Sequence, residues 1–136
     1  MSDWLVPYEP TVLAMLATAT LFLVQLLVAD LAGIKAKHVP GSPVQADHGS
    51  FHFRAVRAHA NTNESVAAFI LLVVVTMFVS ASPSWVNASA WAYVAGRLGH
   101  MLCYYADLRL ARSVAFALSL LGLFSLLFAA FAALLS

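Results

Sequence analysis

The sequence predicts an all-α integral membrane protein: a bundle of four transmembrane helices, packed antiparallel, in a single domain over residues 1–136. Three observations lead there. Of the 136 residues, 62% are hydrophobic and 10% charged, and the mean hydropathy is +0.88; so few charges cannot coat a water-soluble globule. Four apolar stretches of about the length needed to cross a hydrocarbon core roughly 30 Å thick follow one another. Positive residues collect in alternate connections, as they do when loops lie by turns on opposite sides of a bilayer. The net charge of +1 offers no basic field for a nucleic acid. Cys103, the sole cysteine, rules out an internal disulfide and a cysteine-built zinc site.

The first helix is expected over Thr11–Ile34, where Asp30 is the only charge. Asp3 and Glu9 precede it, whereas a cleaved signal peptide would carry a positive leader and a shorter apolar core. The second, Arg57–Ser80, begins polar and turns into an unbroken apolar run from Val66 to Val79. Ala81-Ser82-Pro83-Ser84 breaks the chain before a third span, Trp85–Ala106, interrupted by Arg97 and His100. The fourth, residues 113–135, has no charge. Lys35, Lys37, Arg54 and Arg57 flank the first connection, and Arg109 and Arg112 the third. The positive-inside rule therefore predicts that connections one and three are cytoplasmic and that both termini are periplasmic or lumenal, as suits a bacterial inner membrane. Ala88, Ala92 and Gly96 form a small-residue edge on the third helix, inviting close approach by a neighbour.

Charges inside a span are the informative residues, because each costs roughly 2.5–3.5 kcal/mol near the bilayer centre. Arg57, Asn61 and Glu64 stand at i, i+4 and i+7 on the second helix, within an arc of about 60° at 100° per residue. Arg97, His100 and Tyr104 occupy a similarly narrow stripe on the third. Two such stripes on successive helices can face each other in the cytoplasmic half, rimmed by Lys35, Arg109 and Arg112. One reading is structural: a Glu64–Arg97 salt bridge fixing helix register. Against it, a single Glu64 cannot satisfy Arg57, Arg97, Arg109 and Arg112 together, which points to an anionic ligand. Guanidinium forks suit carboxylates, and Glu64 with Asn61 is left to hold an ammonium or an amide, the pattern of a small zwitterionic peptide. His38, His48 and His52 share a loop without close ligand spacing, so no metal is expected. The glycosylation patterns at Asn63 and Asn87 fall on or beside a span and are discounted.

Arg57-Ala58-His59-Ala60-Asn61-Thr62-Asn63-Glu64, then Arg97-Leu98-Gly99-His100, Tyr104-Tyr105-Ala106-Asp107-Leu108 and Arg112-Ser113, resemble the signature of the MAPEG family. These are membrane-associated proteins of eicosanoid and glutathione metabolism, and they include microsomal glutathione transferases. The resemblance implies a trimer of four-helix bundles that binds glutathione between neighbouring subunits near the cytoplasmic side. By the same resemblance, Arg57, Asn61, Glu64, Arg97, His100 and Tyr104 position the tripeptide, with His59 and Lys35 as further contacts. Arg112 stabilises its thiolate and Ser113 serves as a second donor, in keeping with the general reactivity of thiols as thiolates. Some relatives have Arg where this chain has Ala60, and an Arg where it has Lys35 or Lys37; a lysine binds a carboxylate as a point charge and not as a fork. The expected activity is conjugation of glutathione to a lipophilic electrophile, or reduction of a lipid hydroperoxide, with the acceptor arriving from the membrane lipids. The alternatives are a non-catalytic member that binds a lipid or a partner protein, and an ion-coupled carrier using Glu64, Arg97 and His100.

Overall fold

The computed structural model describes residues 3–135. A short 3-10 helix, Asp3–Tyr8, leads into four α-helices: α1 Glu9–Lys35, α2 Phe51–Phe78, α3 Pro83–Tyr105 and α4 Arg109–Leu135. Together they form an integral membrane bundle. By length and composition three of its helical segments can cross a bilayer: the N-terminal one from Asp3 to Lys35, α2 and α4. α3 has 23 residues and carries Arg97 and His100. Leucines and phenylalanines such as Leu16, Leu31, Phe78 and Phe128 stand exposed around the outside. That surface is stable only against hydrocarbon.

Two helices begin earlier than their apolar runs. α2 starts at Phe51, where the Ser50 hydroxyl accepts a hydrogen bond from the Phe53 amide at 3.4 Å. That cap satisfies one of the open amides of the first turn. α4 starts at Arg109, so Arg57 and Arg112, expected at helix starts, lie instead inside regular helix. Hydropathy marks where a helix is buried in lipid, whereas the backbone hydrogen bonds continue past that boundary.

Three helices end in one manner. Lys37, Ser80 and Asp107 each take a left-handed conformation, with φ of 55°, 53° and 56°. After α1, the amides of Lys37 and His38 return to the carbonyls of Ile34 and Gly33. Ser80 and Ala81 close α2 onto Met77 and Thr76, and Asp107 and Leu108 close α3 onto Tyr104 and Cys103. This paired closure usually recruits glycine. Here side chains with a Cβ occupy the strained position.

One half of the core packs around Phe69 and Tyr93, whose rings stack at 4.2 Å and 10°, with Val73, Val86, Ala90, Leu126 and Ala129 about them. The N-terminus of α1 is tied to α3. Asn87 Oδ1 accepts from the Thr11 amide at 3.2 Å and the Thr11 hydroxyl at 2.6 Å, Asn87 Nδ2 donates to the Pro7 carbonyl, and Trp91 Nε1 donates to that of Pro10. Asn87 is thus committed to a cap.

α3 and α4 make the most extensive contact. A Cβ on Gly96 would stand 2.5 Å from the Ser119 amide nitrogen, and one on Gly122 would stand 2.8 Å from that of Tyr93. Both glycines therefore admit backbone where a side chain would otherwise stand. The expected edge of Ala88, Ala92 and Gly96 is displaced around the helix: Gly96 makes the close approach, while Ala88 is exposed and lines a shallow groove with Ala92 beside α4.

Two stability measurements in detergent follow. Gly122→Ala forces α3 and α4 apart and should destabilise by about 1–3 kcal/mol or more. Ser80→Gly relieves a left-handed residue with a Cβ and should stabilise by up to about 1 kcal/mol. Equal and opposite results would mean that α3–α4 packing is loose and that the α2 terminus is not held as described.

Candidate functional site

The polar residues of α2 and α3 meet below the Phe69–Tyr93 stack. Ser65 Oγ lies 2.9 Å from Tyr93 Oη at the boundary. One turn further along α3 is Arg97, whose guanidinium joins the two stripes. It is 1% exposed. Its Nη1 donates to both the main-chain carbonyl of Asn61, at 2.9 Å, and the side-chain Oδ1, at 3.1 Å; its Nη2 donates to Ser119 Oγ at 2.7 Å. The rings of Phe116 and Tyr93 lie 5.3 and 5.9 Å from its Cζ. Among the described residues no carboxylate comes within 4.0 Å of it. The Glu64–Arg97 bridge considered from the spacing does not form in the chain, and Arg109 with Asp107, at 3.9 Å, is the ion pair found among the described residues.

A guanidinium without a counter-ion is tolerated here because neutral oxygens take three of its hydrogen bonds and two aromatic faces lie against it. Ser119 and Phe116 both sit in the uncharged part of α4 beyond Arg112, one as acceptor and one as aromatic wall. The sequence does not point to Ser119, and it marks Phe116 as a lipid-facing or packed apolar residue. Ser119 is among the few hydroxyls of that apolar helix, which was the available signal.

His100, 3% exposed, and Tyr104, 7% exposed, follow Arg97 along α3. Their rings meet edge-on at 5.0 Å, and Phe116 lies 5.9 Å from His100. The charges of Arg97, Arg112 and Arg57 all act on the His100 ring, so the cluster is electropositive. Across from it, Arg112 on α4 holds its guanidinium carbon 4.4 Å above the centre of the Tyr104 ring. This places a cation at the rim without tying its nitrogens to a carboxylate.

The remaining predicted residues are more dispersed. Arg57 is half-buried on α2 and Glu64 is exposed. Glu64 is the fourteenth of the 28 residues of α2, so its carboxylate stands on the outer face of the bundle halfway along the helix. His59 turns toward α1, its ring stacked on Phe22 at 4.5 Å and 18°, away from the α3 cluster. Ser113 is exposed and its hydroxyl donates to the Arg109 carbonyl at 3.3 Å. Lys35, the last residue of α1, is exposed. Among the described residues no cluster of three metal-ligating side chains occurs; the rings of His38 and His52 meet at 4.8 Å, tilted by 57°, and Gly33 lies against the His52 ring.

The contact between Arg112 and Tyr104 is measurable by a double-mutant cycle. Tyr104→Leu and Arg112→Gln should show a coupling of about 0.5–2 kcal/mol in unfolding, while Tyr104→Phe retains it. Additive effects would mean that Arg112 is not held on the ring. Compared with known proteins, residues 11–132 match the model of the MAPEG family; no curated protein and no solved structure matches the chain.

Proposed function

Since the chain belongs to the MAPEG family, we propose that it is a membrane-embedded glutathione-binding protein and that it transfers glutathione to lipophilic electrophiles or uses it to reduce lipid hydroperoxides. The observation that carries this reading is the imbalance of charge at one end of the bundle. The charges of Arg57, Arg97 and Arg112 all act on His100, while Glu64, whose charge acts on Arg97, makes no ion pair with any of the three among the described residues. Glutathione has two carboxylates, one ammonium and one thiol, which complement that set. Arg57 receives a carboxylate as a two-pronged donor, Glu64 receives the ammonium, and Asn61, His100 and Tyr104 line the space between. His59, turned toward α1, and Lys35, at its end, are secondary contacts.

In this reading Arg112 is the catalytic residue, with Ser113 as second donor. Mounted on the Tyr104 face, its guanidinium stabilises the sulfur as thiolate and so raises the fraction able to attack at neutral pH. In conjugation the sulfur lone pair forms a carbon–sulfur bond and the leaving group departs with its electron pair, the thiol proton having passed to water. In peroxide reduction two thiols supply two electrons: the hydroperoxide becomes an alcohol and water, and the thiols become a disulfide.

Glu64 also supports a homotrimer. Exposed halfway along a lipid-crossing helix, its carboxylate would cost several kcal/mol facing hydrocarbon, and a neighbouring copy would cover it. The four helices are proposed to span antiparallel. Contacts of Gly96 with Ser119 and of Tyr93 with Gly122, which run in opposite sequence order along α3 and α4, support this. Arg54, Arg57, Arg109 and Arg112 would lie on the cytoplasmic side and both termini on the periplasmic side of a bacterial inner membrane.

The test is calorimetry of glutathione binding to protein in detergent, beside Arg57→Ala and Glu64→Gln, with folding checked by circular dichroism. Each substitution removes a charged hydrogen bond and should weaken binding about ten- to a hundredfold. Glutathione should also gain thiolate absorbance on binding at neutral pH, and Arg112→Leu should abolish that gain. A folded wild type that binds nothing at millimolar glutathione would leave a lipid- or protein-binding member of the family.

A further inference from the structure

Arg97 and Asn61 share more than a stripe. Arg97 Nη1 reaches Asn61 Oδ1 at 3.1 Å and the carbonyl of the same residue at 2.9 Å, so one nitrogen grips Asn61 at two points. A guanidinium has five donors and no acceptor. Only the oxygen end of the Asn61 amide can face it, which fixes the orientation of a group that elsewhere could flip. The other end, Nδ2, makes no hydrogen bond within the described residues, and Asn61 itself is only half-buried. Arg97, at 1% exposure, is sealed behind it.

The grip is itself anchored. Arg97 Nη2 donates to Ser119 Oγ at 2.7 Å, and the Ser119 hydroxyl donates in turn to the Phe116 carbonyl at 2.7 Å. Because its proton is spent on Phe116, Ser119 presents Arg97 with a lone pair and no competing donor. Ser119 can stand so close because Gly96, the neighbour of Arg97, has no Cβ to hold α4 away. A line of hydrogen bonds therefore runs from α4 through α3 to α2 and ends at one amide nitrogen on the ligand side.

We infer that Arg97 is a positioning residue that does not touch the ligand: held by Ser119, it locks Asn61 so that the amide offers a donor, and the α2 face reads Arg57 donor, Asn61 donor, Glu64 acceptor. The inference rests on the glutathione reading for the identity of the ligand, though the lock itself does not. A donor at Asn61 selects a carboxylate or carbonyl oxygen at that level of α2. Arg97 would then act through the amide it orients.

The experiment sets stability against affinity in three variants, measured as thermal midpoint in detergent and as the Kd of glutathione by calorimetry. Asn61→Asp keeps an oxygen for Arg97 and replaces the offered donor with a second oxygen. Its midpoint should equal or exceed that of the wild type while binding weakens at least tenfold. Asn61→Leu removes both ends and should lose midpoint and binding together. Ser119→Ala should leave the bundle folded and raise the Kd of glutathione several-fold, since the amide loses its orientation and not its chemistry. Wild-type affinity in Asn61→Asp would overturn the inference, as would a midpoint that falls as far as that of Asn61→Leu. If the wild type binds no glutathione, the ligand reading has failed, and the order of midpoints alone decides the lock: Asn61→Asp at or above wild type with Asn61→Leu below upholds it, and a common fall overturns it.

Discussion

A guanidinium sealed inside a membrane bundle imposes more on its surroundings than any apolar side chain does. It cannot shed its charge, and every donor left without an oxygen costs free energy that hydrocarbon does not return. Arg97 meets part of this demand with neutral groups drawn from two other helices, the carbonyl and amide oxygen of Asn61 on α2 and the hydroxyl of Ser119 on α4, while its buried Nε has no partner among the described residues. Those groups are within reach only at one rotation and one depth of each helix. Lock the guanidinium in place, and the register of α2, α3 and α4 in this half of the bundle follows.

The two halves are organised by different forces. Near Phe69 and Tyr93 the helices interlock by shape, with stacked rings and small residues admitting neighbours. Below them, packing gives way to directional contacts: His100 meets Tyr104 edge-on, and Tyr104 carries the Arg112 guanidinium on its face. Close contact at Gly96 and Gly122 spans the change between the two. The closely packed apolar half thereby frames the polar cluster.

Much of this was legible beforehand, for identifiable reasons. Helical periodicity lets Asn61 face Arg97, because the polar stripes of two successive helices can meet across their interface. What periodicity could not supply was the partner: the spacing offered Glu64 as counter-ion, whereas Arg97 takes a main-chain carbonyl, an amide and a serine. Carbonyls leave no mark in a sequence, and Ser119 is camouflaged among the leucines and alanines of α4. Helix limits were misjudged where lipid burial and helical hydrogen bonding part company, as from Phe51 to Val56, and helix ends where Lys37, Ser80 and Asp107 stand in for glycine. Arg57, Glu64, Lys35 and Ser113 were picked out by pattern and resemblance; a single chain leaves Glu64, Lys35 and Ser113 on its outside.

The fastening at the opposite end has a consequence for how the protein is made. Pro7, Pro10 and Thr11 are bound by Asn87 and Trp91, residues 76 to 81 positions later in the chain. As synthesis proceeds from the N-terminus, α1 and α2 exist before the side chains that clasp the N-terminal end of α1 have been added. Until then the open amides at that end have only water or lipid headgroups to meet them. The first helix therefore enters the membrane provisionally, and the arrival of the third fixes its depth.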